Sequence, residues 1–216
     1  MKSEEAYTPF LAALLAGDRA QCRTIFESWL VEDVDLRELY QERLHPALYA
    51  IGDLWEQGHI SVATEHLASA ITEGLLTLVY PRLFERPRNG QSVVVACVAN
   101  EYHQIGSKMV ADLFAMHGWR SDFLGANTPV QALLDLIRER HPDVVVLSLA
   151  IQSNLEQLLQ AVATIRTAYP ELPILVGGQG FRWGGQERAQ KIANVHYLAS
   201  LQELEVWMNG QKLHVS

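Results

Sequence analysis

Ser92-Val93-Val94-Val95-Ala96-Cys97-Val98-Ala99 is an unbroken apolar run, and the polar stretch Asn100-Glu101-Tyr102-His103-Gln104-Ile105-Gly106 follows it at once. A β-branched run without alternation reads as a strand buried on both faces, which belongs to a parallel sheet covered by helices. Downstream, short apolar runs alternate with helical stretches. Trp119–Leu124, Val144–Ser148, Ile174–Gly177 and Val195–Leu198 are further predicted strands. Residues 106–117, 129–140, 155–168 and 201–208 are predicted helices, with a short one inside 181–192. Alternation of this kind implies right-handed crossovers. Five strands fit a flavodoxin-like (Rossmann-like), doubly wound domain over residues 86–216.

Upstream of this run the period changes. Phe10, Leu11, Leu14 and Leu15 fall at helical spacing, as do Cys22, Ile25, Phe26 and Trp29. Leu36, Leu39, Tyr40, Leu44, Leu48, Ile51 and Trp55 form one broad face, and Leu67, Ile71, Leu75, Leu78 and Val79 another. Gly17-Asp18, Glu32-Asp33 and Gly58 punctuate them, with Ser61 as an N-cap. Four amphipathic helices with short loops predict a four-helix bundle over residues 1–85. The polar segment Glu85–Gly90 reads as a linker that leaves the bundle free to move.

Composition limits the function. The chain has 216 residues, 49% of them hydrophobic, and a formal net charge of -8. That balance does not supply the basic face that phosphate backbones demand, so no direct nucleic-acid contact is expected. No apolar run is long enough to span a membrane and no signal peptide is visible, so the chain reads as cytoplasmic. Cys22 and Cys97 are too few for a disulfide framework or a thiolate metal site. No nucleophile–base pair or phosphate loop stands out, and no enzymatic activity is expected.

Ligands of doubly wound sheets bind beyond the carboxyl ends of the strands. The loops to inspect begin at Asn100, Gly125, Leu149 and Gly178. In the first, His103 offers an imidazole, the commonest nitrogen ligand of transition metals. Glu101, two residues earlier, can take the other ring N–H and raise the basicity of the ligand. Gly106 leaves room at the start of the next helix. One His and one Glu make a poor site for free zinc. They make a good partial site for a metal already held equatorially by a macrocycle.

Glu101-x-His103-x-x-Gly106 resembles the Asp-x-His-x-x-Gly signature of cobalamin-binding domains, with Glu in place of the usual Asp. Ser148-Leu149-Ala150 resembles in part the Ser-x-Leu signature, and Gly177-Gly178 the Gly-Gly pair. The resemblance implies that His103 is the lower cobalt ligand, displacing the vitamin's own dimethylbenzimidazole. It also implies that the nucleotide tail enters a slot beside the sheet. There Ser148 would bond the benzimidazole nitrogen, and the two glycines would let the tail lie against bare backbone. The helical segment resembles the cap that covers cobalamin in the two-domain members.

Trp55-x9-Glu65-His66 resembles the cap motif of adenosylcobalamin-dependent photoreceptors, where Trp and Glu pack around the adenosyl group. In that group a His directly after the Trp can bind cobalt after light; here Glu56 stands there, which leaves His66 and then His59 as donors. The DNA-binding winged helix of that family is not expected before the bundle, so a signal would pass to a protein partner or a homo-oligomer. The resemblance favours adenosylcobalamin, with methylcobalamin possible. A corrinoid methyl carrier serving separate methyltransferases shares the fold and His103. A cofactor-free interaction module is the third alternative.

Overall fold

In the computed structural model, residues 2–32 and 34–211 are described. The chain divides into two compact units, Met1–Leu83 and Phe84–Ser216. The first is helical. Helix α1 is Lys2–Leu15 and α2 is Arg19–Val31. Between them Gly17 adopts a left-handed φ of 67°, and the Asp18 side chain accepts from the Gln21 N–H to cap α2. Helix α3 runs through Leu36–Glu38, a π-helical Leu39–Leu44 and His45–Glu56. Helix α4 is Val62–Leu76, capped as expected by Ser61, and continues in the turns Thr77–Val79 and Tyr80–Leu83. The resulting bundle is the expected one.

Its core gathers around Trp29, which is 4% exposed and lies 5.1 Å from the Phe10 ring and 6.1 Å from that of Phe26. Burying side chains of this size stabilises the fold by about 1.5–3 kcal/mol each. Several expected core positions differ, Trp55 among them at 41% exposed. The wide π turn shifts the helical phase, so Ala47 rather than Leu48 is buried after Leu44. Leu67 is 38% exposed, because α4 has only begun at Val62 and the bundle's buried stripe starts at Ala68.

The second unit is a five-stranded parallel sheet in the order β2-β1-β3-β4-β5, the flavodoxin order. The strands are β1 Ser92–Val98, β2 Arg120–Thr128, β3 Val144–Ser148, β4 Ile174–Gly177 and β5 Val195–Leu198. Every residue of β1 is buried, as an unbroken apolar run requires. Helices α5 Ile105–Met116, α6 Val130–Arg140, α7 Leu155–Ala168, α8 Gln186–Gln190 and α9 Leu201–Gln211 complete the unit. One core packs Val94, Val145, Leu133, Ile137, Leu158 and Val162 together. On Trp119, Phe114 meets the indole edge-on at 5.1 Å and Trp207 lies 6.2 Å away.

Two expectations need correction. Strand β2 does not end at Leu124; irregular register opposite Val95–Val98, with Gly125 at φ 76° and Asn127 at φ 50°, carries it to Thr128. The loop after β2 therefore begins at Pro129, not at Gly125. The segment Glu85–Gly90 is irregular, yet its second half is tied down. The Arg88 guanidinium donates to the Trp119 carbonyl at 2.6 Å, and the Asn89 N–H to the Gly118 carbonyl at 2.9 Å. Glu85 and Arg86, ahead of Pro87, are exposed.

Candidate cofactor site

The sheet's parallel register aligns Cys97, Ser148, Gly177 and Leu198 side by side on β1, β3, β4 and β5. The expected site residues of this unit thus stand on or just beyond one rim of the sheet. Glu101 is fully buried there, and His103 is 48% exposed. The Glu101 Oε1 accepts from His103 Nδ1 at 2.8 Å and from the His103 backbone N–H at 3.0 Å. Its Oε2 accepts from the N–H groups of Ala150 and Ile151, each at 2.9 Å. Burial works to raise the Glu101 pKa, but the bonds from His103, Ile151 and Ala150 outweigh it and hold the group down at about 2. A carboxylate only accepts, so in the neutral ring Nδ1 carries the proton and Nε2 is the unprotonated nitrogen.

Two asparagines and a glutamine that the sequence reading did not single out complete this loop. Asn154 Nδ2 donates to Glu101 Oε2 at 3.2 Å and to the Asn100 carbonyl at 3.1 Å. Asn127 Oδ1 accepts from the Asn100 N–H at 2.8 Å, and the Asn127 N–H donates to the Glu101 carbonyl at 2.8 Å. Gln104 Oε1 accepts from the Ala126 N–H at 3.0 Å. A Cβ on Gly125 would meet that same oxygen at 2.8 Å, at the mobile end of a side chain; it is the left-handed φ of 76° that favours glycine in the bulge. Asn100 and Asn127 both adopt a left-handed φ, at 65° and 50°, a conformation asparagine tolerates.

Gly106 lies in the first turn of α5, exposed, with open space where a side chain would stand. Ser148 is half-buried, whereas Leu149 is fully buried and donates its N–H to the Gly177 carbonyl at 2.9 Å. The glycine pair is demanded first by the chain itself. A Cβ on Gly178, whose φ is 114°, would lie 2.3 Å from the Leu149 carbonyl oxygen, and one on Gly177 2.9 Å from that of Leu198. Cys97, beneath the loop, lies 3.0 Å from the Ser107 hydroxyl, and burial pushes its thiol up to about 11. It is no thiolate at neutral pH.

Among the described residues, no three of His, Cys, Asp and Glu gather into a metal-ion cage. A lone imidazole backed by a buried carboxylate fits the axial position of a metal that a macrocycle already holds.

The helical unit places its motif at one helix end and one helix start. Trp55, the penultimate residue of α3, is 41% exposed, although Ile51 four residues earlier is buried. Glu65 is half-buried in the first turn of α4, with Oε2 2.5 Å from His66 Nδ1 and Oε1 accepting from the Ser69 hydroxyl at 2.8 Å. His66 is exposed, as are Glu56 and His59.

A helical bundle followed by a doubly wound sheet, with one carboxylate-backed imidazole at the ligand-binding rim, defines a corrinoid-binding type of two-domain protein. Residues 91–198 match the model of the B12 binding domain, and residues 7–80 match a second model of the same description. The chain belongs to the B12-binding family and binds cobalamin. It is 31% identical to the HTH-type transcriptional repressor CarH of Myxococcus xanthus over 174 residues, 80% of this chain and 57% of that one. To the repressor CarA of the same organism it is 34% identical over 123 residues, 57% of this chain and 42% of that one. The chain thus spans about half the length of these two relatives. It is 20% identical to trimethylamine corrinoid protein 1 of Methanosarcina acetivorans over 182 residues, 82% of this chain and 81% of that one. The solved monomethylamine corrinoid protein of Methanosarcina barkeri shares the fold, with a TM-score of 0.77 at 14% identity over 93% of this chain and 95% of that one. These relatives are named as transcriptional repressors and corrinoid proteins. No described helix is long and apolar enough to cross a membrane.

Proposed function

We propose that the chain is an adenosylcobalamin-dependent light sensor that signals to a protein partner or through its own association. The observation that carries this is Trp55, a large indole left 41% exposed at a helix end, at the motif spacing from Glu65-His66. A purely structural tryptophan in this bundle looks like Trp29, which is buried. The cofactor supplies a cobalt–carbon bond that visible light breaks. His103 is proposed as the lower ligand through Nε2, with Glu101 fixing its tautomer. Ser148, Leu149, Gly177 and Gly178 would receive the nucleotide tail, and Gly106 would leave clearance beside His103.

Trp55 and Glu65 would hold the adenosyl group by stacking and by hydrogen bonds to ribose hydroxyls. Losing that group removes their contacts, and a ligand shifts an equilibrium only by its differential affinity for two states. Moving a population from 1:99 to 99:1 needs about 5.5 kcal/mol, within reach of a buried nucleoside. His66, exposed, would compete with water for the vacated cobalt face, with His59 the next donor. CarH and CarA are named as repressors, which supports a regulatory role. The net charge of -8 favours a protein partner over direct DNA contact.

The test compares absorption spectra and light scattering after size exclusion, for chain loaded with adenosylcobalamin, in the dark and after green light. A spectral change with altered mass or partner binding is expected. Complete photolysis with identical elution and partner binding would reject the sensor.

A second reading, a corrinoid methyl carrier for separate methyltransferases, has one observation in its favour. The match to trimethylamine corrinoid protein 1 runs over 81% of that protein's length. A carrier would use methylcobalamin and would not need Trp55.

A further inference from the structure

The loop after β3 faces two ways. Its N–H groups at Ala150 and Ile151 hold the Glu101 carboxylate. The next side chain, Gln152, reaches to the loop after β4, where its Nε2 donates to the Trp183 carbonyl at 2.7 Å. Trp183 closes the short turn Gln179–Trp183, which lies between Gly178 at φ 114° and Gly184 at φ 105°. The near end of that turn rests on the β3 loop, with the Gly180 N–H donating to the Leu149 carbonyl at 2.9 Å. The far end is held to the same loop by Gln152. The middle of the turn is anchored by the fully buried Phe181, whose carbonyl accepts from Gln186 Nε2 at 2.6 Å, and Gln152 is the side chain that ties the far end to the β3 loop.

We propose that Gln152 is a positioning residue that couples occupancy of the nucleotide-tail slot to ligation by His103, and so favours tailed over tail-less corrinoids. The proposal rests on the cofactor reading above. A tail lying along Ser148, Gly177 and Gly178 would run past the Gln179–Trp183 turn and bear on its exposed far end at Trp183. Displacing that end moves the Trp183 carbonyl and pulls on Gln152. Gln152 is bonded in the chain to Ile151, whose N–H fixes Glu101 Oε2. The other oxygen of Glu101 orients His103. An unbroken series of bonds therefore joins the slot to the ligating imidazole, and a loop held at both ends transmits a shift that a free loop would absorb. Partners that orient a metal ligand are worth about 10–100-fold in affinity. A contact one step further out acts through a single exposed hydrogen bond and is worth less.

The experiment uses the full chain with hydroxocobalamin and with aquocobinamide, a corrinoid lacking the nucleotide tail. Dissociation constants come from visible absorption. With the chain labelled with 15N-histidine, the doublet splitting in the Co(II) electron-resonance spectrum gives the fraction ligated by His103, because the vitamin's own 14N benzimidazole gives a triplet. Gln152→Ala is expected to weaken hydroxocobalamin binding about five- to tenfold, the net value of one hydrogen bond, while aquocobinamide changes less than about twofold. The nitrogen-split fraction should fall for the tailed corrinoid. Gln152→Glu, which sets a carboxylate against the Trp183 carbonyl, should produce a larger loss in the same ratio. Gln152→Lys restores a donor and should recover part of it. A wild-type chain that binds both corrinoids, with a ratio unmoved by Gln152→Ala and Gln152→Glu, overturns the latch alone. A wild-type chain that takes up neither overturns the cofactor reading and the latch together.

Discussion

The chain builds two Glu–His pairs, and they are unlike. In the sheet unit, Glu101 is fully buried and its carboxylate accepts from backbone N–H groups on two loops as well as from His103 and Asn154. In the helical unit, Glu65 and His66 are sequence neighbours near the start of a helix, where among the described residues the Ser69 hydroxyl is the further donor to Glu65; His66 is 73% exposed. The first pair is preorganised by the fold, so its imidazole is held before any ligand arrives. The second is held by little beyond its own helix and can adapt to what it meets. That division suits a permanent lower ligand and a changeable upper face.

The sharpest way to break the contrast is Glu101→Ala. It leaves the buried Ala150 N–H and the part-buried donors of Ile151, Asn154 and His103 without their acceptor. Unsatisfied buried donors cost about 1–3 kcal/mol each before relaxation. A loss of about 3 kcal/mol in the unfolding free energy of the sheet unit is expected, read by denaturant titration followed through tryptophan fluorescence. Glu65→Ala in the helical unit should cost under about 1 kcal/mol by the same measurement. Equal costs would erase the distinction.

His103→Ala comes next. Its half-exposed ring contributes little to stability, but cobalamin affinity should fall by about 100-fold, and protein-nitrogen splitting should vanish from the Co(II) spectrum. Retained splitting would move the lower ligand elsewhere. Trp55→Ala should cost far less stability than the about 3–5 kcal/mol typical of a core tryptophan. It should weaken adenosylcobalamin more than hydroxocobalamin in parallel titrations; equal weakening of both would favour the methyl carrier. The smallest effect belongs to His66→Ala. Unfolding should shift by under about 0.5 kcal/mol. Only the spectrum of the illuminated form should change, and an unaltered photoproduct would remove His66 as the upper donor.

The sheet was legible in sequence where burial left no choice. Residues 92–98, 144–148 and 174–177 are apolar because helices cover both faces, and periodicity reads that directly. Strand β2 was half legible: its edge position leaves residues such as Leu124 exposed, and its last turns depend on Gly125 and Asn127 adopting left-handed conformations. His103 and Glu101 were legible because their partnership is local, two residues apart. Asn154, Asn127 and Gln152 were not, because their hydrogen bonds span 27 to 54 residues and exist only once the strands are aligned. The π turn at Leu39–Leu44 was hidden too, since no local spacing marks the extra residue and its effect, Ala47 buried in place of Leu48, falls a turn further on.

The anchoring of Arg88 and Asn89 on the turn before β2 has a consequence for proteolysis. A protease needs several residues of extended, detachable chain, and exposed irregular segments supply it. Of the segment between the two units, Glu85 is exposed and lies ahead of the anchored part, while Arg86 is followed by Pro87. Trypsin therefore meets a bond it disfavours at Arg86 and a tethered one at Arg88. A glutamate-specific protease meets a free one at Glu85. Limited digestion with the two enzymes should give opposite results, a clean division by the second and near silence at this segment by the first, so the joint is a scissile site for one chemistry only.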